Sequence, residues 1–234
     1  MPNKAREKFK TMHNVFDNFT NRLIFKMISE GHFEGLEATV SVGKEANIFS
    51  AVGQKGRIIL KIYRLEACDF NRMYDYIKED KRYANLKGKK RKIIFTWVQR
   101  EYRNLLIARQ AGVSCPTPIK FLGNIILLEF IGLDGEVAPK LKDKKPEDPK
   151  KFFEKVVENM KKLYKSGLVH ADLSPFNILN FNEVPILIDF SQTTTTDSTS
   201  ADEFIRRDVR NVVNHFKKLG LKLSEDKVLA KILK

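Results

Sequence analysis

The sequence has few of the features that mark secreted, zinc-binding or membrane-spanning proteins. Its 234 residues include only two cysteines, Cys68 and Cys115, which lie far apart and form no CxxC pair. Neither a disulfide framework nor a zinc site is indicated, so we expect a protein of the reducing cytoplasm. The start, MPNKAREKFK, lacks the apolar core of a signal peptide, and the longest apolar stretches are much shorter than a bilayer crossing. We therefore expect a soluble protein with no membrane partner.

Acidic residues are in deficit. The chain has 43 lysines and arginines against 29 aspartates and glutamates, which gives a formal net charge of +14. Such an excess attracts polyanions and favours contact with nucleotides, RNA or a ribosome. A run of like charges is more often only a solvated face, so the charge alone does not establish RNA binding.

The first half of the chain predicts a helix followed by a sheet. Apolar residues recur at helical spacing over residues 15–28. Three short β-like runs follow, at residues 38–42, 46–52 and 57–63, and the last two are joined by a glycine-containing turn. We interpret them as an antiparallel sheet.

A less regular, basic segment follows the predicted sheet. Residues 64–96 show little periodicity, and the run KGKKRK at residues 87–92 is strongly basic. We expect this insert to be mobile or to be ordered by a partner. Residues 97–110 then predict a helix, and residues 117–131 predict two strands around a Gly123-Asn124 hairpin turn.

The second half of the chain is predicted to be mainly helical. A helical stripe covers residues 152–164, and a short strand covers residues 185–189. Another apolar stripe, at residues 204–219, follows the capping-box pair Ser200 and Glu203. A last short helix is predicted near the end.

Together these patterns predict an α+β protein in three parts. Residues 1–37 form a helical N-terminal extension. Residues 38–130 form a first lobe of antiparallel sheet that carries the basic insert 64–96. Residues 131–234 form a second, mainly helical lobe. The hydrophobic content of 42% is enough for both lobes to bury a core.

The segment HADLSPFN at residues 170–177 carries the strongest chemical signal. It places Asp172 and Asn177 five positions apart, after a helix and before an apolar strand, as in a kinase catalytic loop. Phosphoryl transfer needs a carboxylate to orient or deprotonate the attacking hydroxyl and a nearby carboxamide oxygen to hold magnesium. The alternative is an Asx-rich turn in which both side chains bond only to their own backbone.

Asp189 ends the apolar run PILID, twelve residues after Asn177. A carboxylate there can bridge magnesium to the β- and γ-phosphates of ATP. Alone, Asp189 could be a strand-end aspartate that caps a turn, but the two segments together form a compound signal. Asp172, Asn177 and Asp189 offer hard oxygen ligands, which favour Mg²⁺ or Mn²⁺ over zinc.

Lys61 is a single lysine within the apolar run LKIY. A lysine in a buried strand needs a partner. In kinases such a lysine binds the α- and β-phosphates and pairs with a helix glutamate, for which Glu101 is the best candidate. The alternatives are that Lys61 reaches solvent from a strand edge and that Glu101 lies on a solvated helix face.

The turn SVGKEAN lies between two β-like runs, where backbone N–H groups could cover phosphates. Its single glycine fits neither GxGxxG nor GxxxxGK[ST], so the motif is weak alone. The candidate nucleotide-binding residues of this turn are Ser41, Val42, Gly43, Lys44, Glu45 and Asn47.

The run LLEFIG is placed to join the two lobes. Backbone groups of Glu129 and Ile131, on either side of Phe130, could bind adenine there. The alternative is an ordinary apolar edge strand.

In this order the motifs resemble the Rio family of atypical protein kinases, and within it the archaeal-like Rio one branch. The family's phosphate loop is close to STGKEANVY, its catalytic loop to VHADLSEYN and its metal segment to IDVSQ. Here they stand as SVGKEANIF, LVHADLSPFN and IDFSQ. The resemblance covers nearly the whole chain, including the N-terminal helix, the insert and the segment EFIRRDVRNV.

The resemblance implies a two-lobed protein-kinase-like fold with an antiparallel-sheet N-lobe and a truncated, mainly helical C-lobe. ATP would bind in the cleft with Mg²⁺, for which Mn²⁺ is an alternative. Lys61 would contact the phosphates, Glu101 would position Lys61, and Asn177 and Asp189 would hold the metal. Asp172 would be the catalytic aspartate.

It also implies an ATP-dependent serine protein kinase that phosphorylates itself or another protein. The family acts in maturation of the small ribosomal subunit, which implies contact with the pre-ribosomal subunit and its rRNA. It is thought to work partly as an ATPase through an aspartyl-phosphate, here at Asp189. Two departures spare the chemical groups: Val42 replaces a common threonine, and Pro175-Phe176 replaces an acidic-aromatic pair.

Three functions stay open at this point. The first is a serine protein kinase, and the second is a ribosome-associated switch that binds pre-ribosomal RNA and uses ATP hydrolysis to leave. The third is a small-molecule kinase of the aminoglycoside or choline type, whose loops also read HxDxxxxN. Only residues 190–234 follow Asp189, with no APE motif and no room for the usual peptide-binding helices. Substrate recognition must therefore differ from that of ordinary kinases.

Overall fold

The computed structural model describes residues 16–66, 68–78 and 90–234. The first lobe is built on a five-stranded antiparallel sheet whose neighbours follow the order β1-β2-β3-β5-β4. The strands are β1 (Phe33–Val42), β2 (Ala46–Gly53), β3 (Gly56–Tyr63), β4 (Pro118–Leu122) and β5 (Ile125–Glu129). Short hairpins join β1 to β2, β2 to β3 and β4 to β5, so most strand pairs are local in sequence.

Among the described residues, three helices accompany this sheet. They are α1 (Asn18–Ser29), α2 (Phe70–Lys78) and α3 (Lys90–Gln110). Helix α1 begins where the Asp17 carboxylate accepts hydrogen bonds from the backbone N–H groups of Phe19 and Thr20. An aspartate at this position satisfies N–H groups that have no partner inside the helix.

The second lobe contains three helices and short two-stranded ribbons. Its helices are α4 (Pro149–Lys165), α5 (Ala201–Lys218) and α6 (Glu225–Leu233). Strand β6 (Gly132–Leu133) pairs with β7 (Glu136–Val137), β8 (Leu168–Val169) with β11 (Thr194–Thr195), and β9 (Ile178–Phe181) with β10 (Val184–Leu187). No helix among the described residues is both long and apolar enough to cross a membrane.

Two apolar clusters hold the molecule together. The smaller one lies between α1 and one face of the sheet and includes Ile24, Met27, Leu60 and Ile62. The larger one extends from α3 into α4, α5 and α6 of the second lobe. Because α3 belongs to the larger cluster, the helix that follows the insert packs with the second lobe as well as with the sheet.

Strand alternation decides which β3 residues can reach the cleft between the lobes. Leu60 and Ile62 point towards α1 and the smaller cluster. Successive side chains in a strand point to opposite faces, so Ile59 and Lys61 point the other way and line the cleft. The apolar pattern around Lys61 therefore fixes the face on which its ammonium group lies.

Several element boundaries differ from those expected from the sequence. Helix α3 begins at Lys90 rather than at residue 97, because Ile93 and Ile94 are buried among the basic residues of its first turns. Residues 70–78 of the predicted insert form α2, and residues 79–89 lie outside the described residues. The expectation of a mobile or partner-ordered insert stays a prediction, and residues 67 and 79–89 of the insert lie outside the described part.

Two other expectations are corrected at the starts of elements. Strand β1 begins at Phe33, so residues 33–37 belong to the sheet and not to the helical N-terminal extension expected from the sequence. Ser200 precedes α5 but makes no side-chain cap hydrogen bond, so the predicted capping box is wrong. The backbone of Ser200, at φ −95° and ψ 0°, is not in the extended conformation that usually accompanies this bond.

Both cysteines are buried free thiols. Burial raises the pKa of Cys68 to about 11 and that of Cys115 to about 12. The Cys68 Sγ donates to the carbonyl oxygens of Arg64 at 2.8 Å and Glu45 at 3.3 Å. Since the thiolate is the reactive form, neither side chain is an activated nucleophile.

Asn124 ties α1 to the sheet, and its removal should destabilise the fold. Its fully buried Nδ2 donates to Thr20 Oγ1 at 3.0 Å and to the Tyr63 carbonyl at 2.7 Å. We predict that Asn124→Ala lowers the free energy of unfolding in urea by about 2 kcal/mol, because two buried hydrogen bonds are lost. The matched control is Asn214→Ala, at an exposed position of α5. Equal losses in the two variants would contradict this role.

Candidate active site

A cleft of about 360 Å³ lies between the sheet and the second lobe. Apolar side chains from both lobes form most of its wall: Val40, Ile48, Ile59, Leu128, Leu179 and Ile188. Lys61, Glu101, Asn177 and Asp189 supply a polar group of side chains within the same cleft. A cavity with apolar walls and a few convergent polar groups is the usual form of a small-molecule site.

Lys61 is the centre of the polar group. Its Nζ lies 2.8 Å from Glu101 Oε1 and 2.8 Å from Asp189 Oδ1. Burial lowers the pKa of Lys61, but the charges of Asp189 and Glu101 outweigh it and hold that pKa well above its usual value. The side chain is therefore a fixed positive charge that faces the cleft, and the predicted Lys61–Glu101 pair is present.

Glu101 has a second partner that the sequence analysis did not identify. The Tyr63 hydroxyl donates to Glu101 Oε2 at 2.6 Å, and both side chains are buried. Burial raises the pKa of Glu101, while the charge of Lys61 opposes that rise. Tyr63 follows Lys61 by two residues on the same strand and shares its face, which is the sequence signal that could have revealed it.

Asp189 approaches Lys61 from the second lobe. Burial raises the pKa of its carboxyl, but the charge and hydrogen bond of Lys61 outweigh burial and hold that pKa well below its usual value. The side chain remains 39% exposed, and the residue lies in the left-handed region with φ 64°. Such backbone strain in a non-glycine residue is often found at functional sites.

The catalytic-loop candidates Asp172 and Asn177 contact each other. Asn177 Nδ2 donates to the Asp172 carbonyl at 2.8 Å and to Asp172 Oδ2 at 3.1 Å. The amide nitrogen is thus directed at Asp172, which leaves the carboxamide oxygen of Asn177 for another ligand. Burial and the neighbouring Asp189 raise the pKa of Asp172, although Arg207, Asn177 and Arg72 oppose the rise.

Helix α5 fixes this loop through hydrogen bonds between its side chains and the loop backbone. Asp208 accepts hydrogen bonds from the backbone N–H of Ala171 at 2.9 Å and of Leu173 at 2.8 Å. Arg207 donates to the Ala171 carbonyl, and Asn211 donates to the Leu173 carbonyl at 3.1 Å. Asp172 is therefore fixed by contacts to both of its chain neighbours, one of which, Ala171, has φ 65°.

Asp208 was not identified as a site residue from the sequence. It lies in EFIRRDVRNV between the buried residues Ile205 and Val209, and a charge inside an apolar helix stripe requires partners. Burial raises its pKa to about 7, although the two backbone donors and Arg207 lower it. Burial of this carboxylate is energetically unfavourable, which indicates that its role is to hold the two backbone N–H groups in place.

His170 joins the loop to the segment before Asp189. Its Nε2 lies 3.1 Å from the Ile188 carbonyl, to which it can only donate. Burial lowers the pKa of His170 to about 4, so the ring is neutral near pH 7. It therefore positions the loop and does not supply a charge.

The predicted phosphate-loop residues are only partly brought together. Ser41 lines the cleft, whereas the side chain of Val42 is 71% exposed and Lys44 is exposed. The Gly43 N–H donates to the Ala46 carbonyl at 3.0 Å, and a Cβ on Gly43 would lie 2.8 Å from that oxygen. The glycine is needed for this tight turn.

Glu45 and Asn47 do not line the cleft. Glu45 is half-buried with its pKa raised by burial, and its carbonyl accepts from the N–H of Arg64. Asn47 is buried on the opposite face of β2, because its neighbour Ile48 points into the cleft. The Asn47 side chain therefore points away from the cleft, and a contact between Asn47 and a nucleotide stays a prediction that concerns its backbone.

The segment after β5 forms one border of the cleft. Glu129 and Ile131 line it, as expected for residues that could present backbone groups to a ring. Phe130, between them, is not among the lining residues, because alternate residues of an extended segment point to opposite sides. Only its backbone could take part.

Asn177 and Asp189 fit a hard divalent cation. Both line the cleft. Asn177 bonds Asp172 through Nδ2 and Asp189 bonds Lys61 through Oδ1, so Oδ1 of Asn177 and Oδ2 of Asp189 remain as metal ligands. Within residues 16–66, 68–78 and 90–234, no group of three His, Cys, Asp or Glu side chains could hold a metal ion. A cation here would need phosphate and water oxygens to complete its shell, which suits Mg²⁺.

Comparison with known proteins gives one family. The model of the RIO domain matches residues 47–228. The RIO-type serine/threonine-protein kinase Rio1 of Haloferax volcanii is 38% identical over 218 residues, which are 93% of this chain and 75% of that protein. The protein of the same name from Thermoplasma acidophilum is 34% identical over 181 residues, 77% of this chain and 96% of that protein.

Solved structures show the same fold. The Rio2 kinase from Chaetomium thermophilum, in a complex described as ADP/Mg²⁺-phosphoaspartate, matches with a TM-score of 0.70 at 22% identity. The match covers 92% of this chain and 66% of that one, so this chain spans about two thirds of its length. The two-lobed kinase-like α+β fold expected from the sequence is therefore confirmed.

The anchoring role of Asp208 can be tested without an activity assay. We predict that, above the Asp208 pKa of about 7, Asp208→Asn accelerates hydrogen exchange of the Ala171 and Leu173 amides by at least about tenfold, because hydrogen bonds to an ionised acceptor contribute about 1.5–3 kcal/mol. Nuclear magnetic resonance would measure both rates. Asp202→Asn, at an exposed position of the same helix, is the control. Unchanged exchange at both amides in Asp208→Asn would contradict the anchor.

Proposed function

This chain belongs to the RIO domain family, and we propose that it is a Rio-type atypical kinase that transfers the γ-phosphoryl group of ATP to a protein serine or threonine. The residues matched by the family model and the curated relatives support this proposal. Those relatives are named as serine/threonine-protein kinases. No observation favours the small-molecule kinase considered from the sequence.

One arrangement carries the proposal. Lys61 reaches Glu101 and Asp189 at 2.8 Å each, and Asn177 bonds Asp172 on the second-lobe side of the same cleft. A cation for phosphates, two oxygen ligands for a metal and a carboxylate for a hydroxyl are the groups that phosphoryl transfer requires. Lys61, Asn177 and Asp189 line one cleft whose apolar walls can hold an adenine ring, and Asp172 is held beside it by Asn177.

Each residue then has a distinct task. Lys61 binds the α- and β-phosphates, and Glu101 keeps it in place. Asn177 and Asp189 hold Mg²⁺, or alternatively Mn²⁺, which when bound would neutralise charge on the transferred group. Asp172 orients the substrate hydroxyl and accepts its proton, and its raised pKa suits a general base.

The kinase function predicts a selective loss in Asp172→Asn. We expect phosphoserine formation from labelled ATP and Mg²⁺ to fall at least about 100-fold, in the range that loss of a general base costs. The nucleotide affinity, measured by calorimetry, should change less than about threefold, because Asp172 does not contact Lys61. Asp226→Asn, exposed on α6, is the control. Wild-type phosphoserine formation in Asp172→Asn would contradict its role.

We also propose a second activity at Asp189, hydrolysis of ATP through an aspartyl-phosphate. An ionised carboxylate that Lys61 holds at one oxygen, and that is 39% exposed, is a competent nucleophile. Its free oxygen would attack the γ-phosphorus, the bond from that phosphorus to the β–γ bridging oxygen would break, and ADP would leave. Water would then cleave the acyl phosphate. The Chaetomium structure, described as a phosphoaspartate complex, supports the proposal.

Acyl phosphate can be distinguished from phosphoserine by its chemistry. We predict that part of the protein-bound label is released by hydroxylamine after acid quenching. This fraction should be absent in Asp189→Asn and present in Asp172→Asn, because Asp189 carries the phosphoryl group and Asp172 serves the hydroxyl substrate. Label that is fully resistant to hydroxylamine in the wild type would contradict the aspartyl-phosphate.

We further propose that the protein acts in the cytoplasm in maturation of the small ribosomal subunit, with rRNA contact. Support comes from the sequence resemblance and from the net charge of +14. In the described part of the basic run, residues 90–92 are exposed at the start of α3. Such a surface can contact phosphates.

A further inference from the structure

We propose that Arg72 and Arg207 form a pocket beside the catalytic loop that binds an anionic side chain of the protein substrate, either a carboxylate or a phosphomonoester. This inference rests on the proposed kinase function and adds a substrate preference to it. The pocket has a volume of about 350 Å³ and is distinct from the nucleotide cleft.

Two helices and one short strand build the pocket. Helix α2 supplies Arg72, Asp75 and Tyr76, helix α5 supplies Phe204 and Arg207, and β11 supplies Thr194. The rings of Tyr76 and Phe204 stack at 5.5 Å, and the Arg207 guanidinium lies 4.9 Å from the Phe204 ring centre. The aromatic pair thus fixes the two helices and orients one arginine.

The pocket is close to the reacting groups. Arg207 donates to the carbonyl of Ala171, which directly precedes Asp172. The charges of Arg207 and Arg72 both lower the pKa of Asp172, so their field reaches the catalytic carboxylate. A substrate whose hydroxyl lies at Asp172 would place neighbouring side chains near these arginines.

Arg72 is available to a ligand. Over the residues that the structure describes, its guanidinium forms no ion pair and no hydrogen bond, and its side chain is exposed. Asp75, the one acidic residue in the lining, is paired with Lys78 at 2.6 Å. The pocket therefore keeps its positive character.

The sequence of the loop explains why the charge comes from these helices. Ordinary protein kinases read His-Arg-Asp at the catalytic aspartate, whereas this chain reads His170-Ala171-Asp172. This chain has alanine beside the aspartate, and Arg207 from α5 and Arg72 from α2 supply positive charge next to the loop instead. Guanidinium groups match carboxylates and phosphomonoesters in two-point hydrogen bonds, which fits an anionic side chain as the ligand.

Peptide phosphorylation tests the proposal directly. The full chain, with Mg²⁺ and labelled ATP, would be given serine peptides that differ at one scanned position in carrying Asp, phosphothreonine, Ala or Lys. We expect kcat/KM for the best acidic peptide to exceed that of its Ala counterpart by about twofold to fivefold, the range of an exposed ion pair. The preference should weaken as salt rises.

Arg72 variants make the test specific. Arg72→Gln should lose most of the acidic preference through a higher KM, and Arg72→Glu should favour the Lys peptide. The control Arg206→Gln removes a charge from α5, the helix that carries Arg207, at an exposed position outside the pocket, and should keep the preference. Arg207 is a poorer choice for mutation because it also holds the Ala171 carbonyl.

Three results would overturn the proposal. They are equal use of acidic and Ala peptides by the wild type, an unchanged preference in Arg72→Glu, and Arg72-dependent competition by oligouridine without any acidic preference. The last result would assign the pocket to an RNA phosphodiester. Absence of label from every peptide and from the chain itself would instead contradict the kinase function on which the proposal rests.

Discussion

The buried ammonium group of Lys61 is the contact on which the arrangement of the site depends. A charge at this depth is stable only with partners, and its two partners come from different parts of the molecule: Glu101 from α3 and Asp189 from the second lobe. One side chain thus links the sheet, the long helix and the segment that we propose to hold the metal. Tyr63 completes the set by fixing the far oxygen of Glu101. The contacts that bring the sides of the cleft together are therefore the same contacts that neutralise the charge of Lys61.

A second set of contacts fixes the catalytic loop, and it comes from one helix of the second lobe. Helix α5 forms four hydrogen bonds with the loop through the side chains of Arg207, Asp208 and Asn211. The left-handed backbone at Ala171 and Asp189 persists because these contacts and the Lys61 pair hold it. Helix α5 therefore serves the loop and the larger core together.

The groups required by phosphoryl transfer could be predicted from the sequence because they follow fixed spacings. Lys61 pairs with Glu101 as predicted, whereas its ion pair with Asp189 was not predicted. The Asn47 side chain does not line the cleft, because a motif does not show which face of a strand each residue occupies, and the apolar Ile48 lies on the cleft face. The role of Asp208 escaped prediction because it depends on backbone N–H groups more than thirty residues away. The start of α3 was not predicted, because the basic residues before Ile93 and Ile94 obscured the apolar pattern of the helix.

The two buried cysteines give the protein a chemical property of its own. Thiol reagents react with the thiolate form of cysteine. Burial keeps both thiols protonated and inaccessible near neutral pH. Cys68 bonds to the carbonyl of Glu45 in the phosphate loop, and Cys115 precedes Pro116 in the cleft wall. Alkylation of each cysteine therefore requires the local structure to open. The labelling rate of Cys68 reports opening at the loop, and that of Cys115 reports opening at the wall of the cleft.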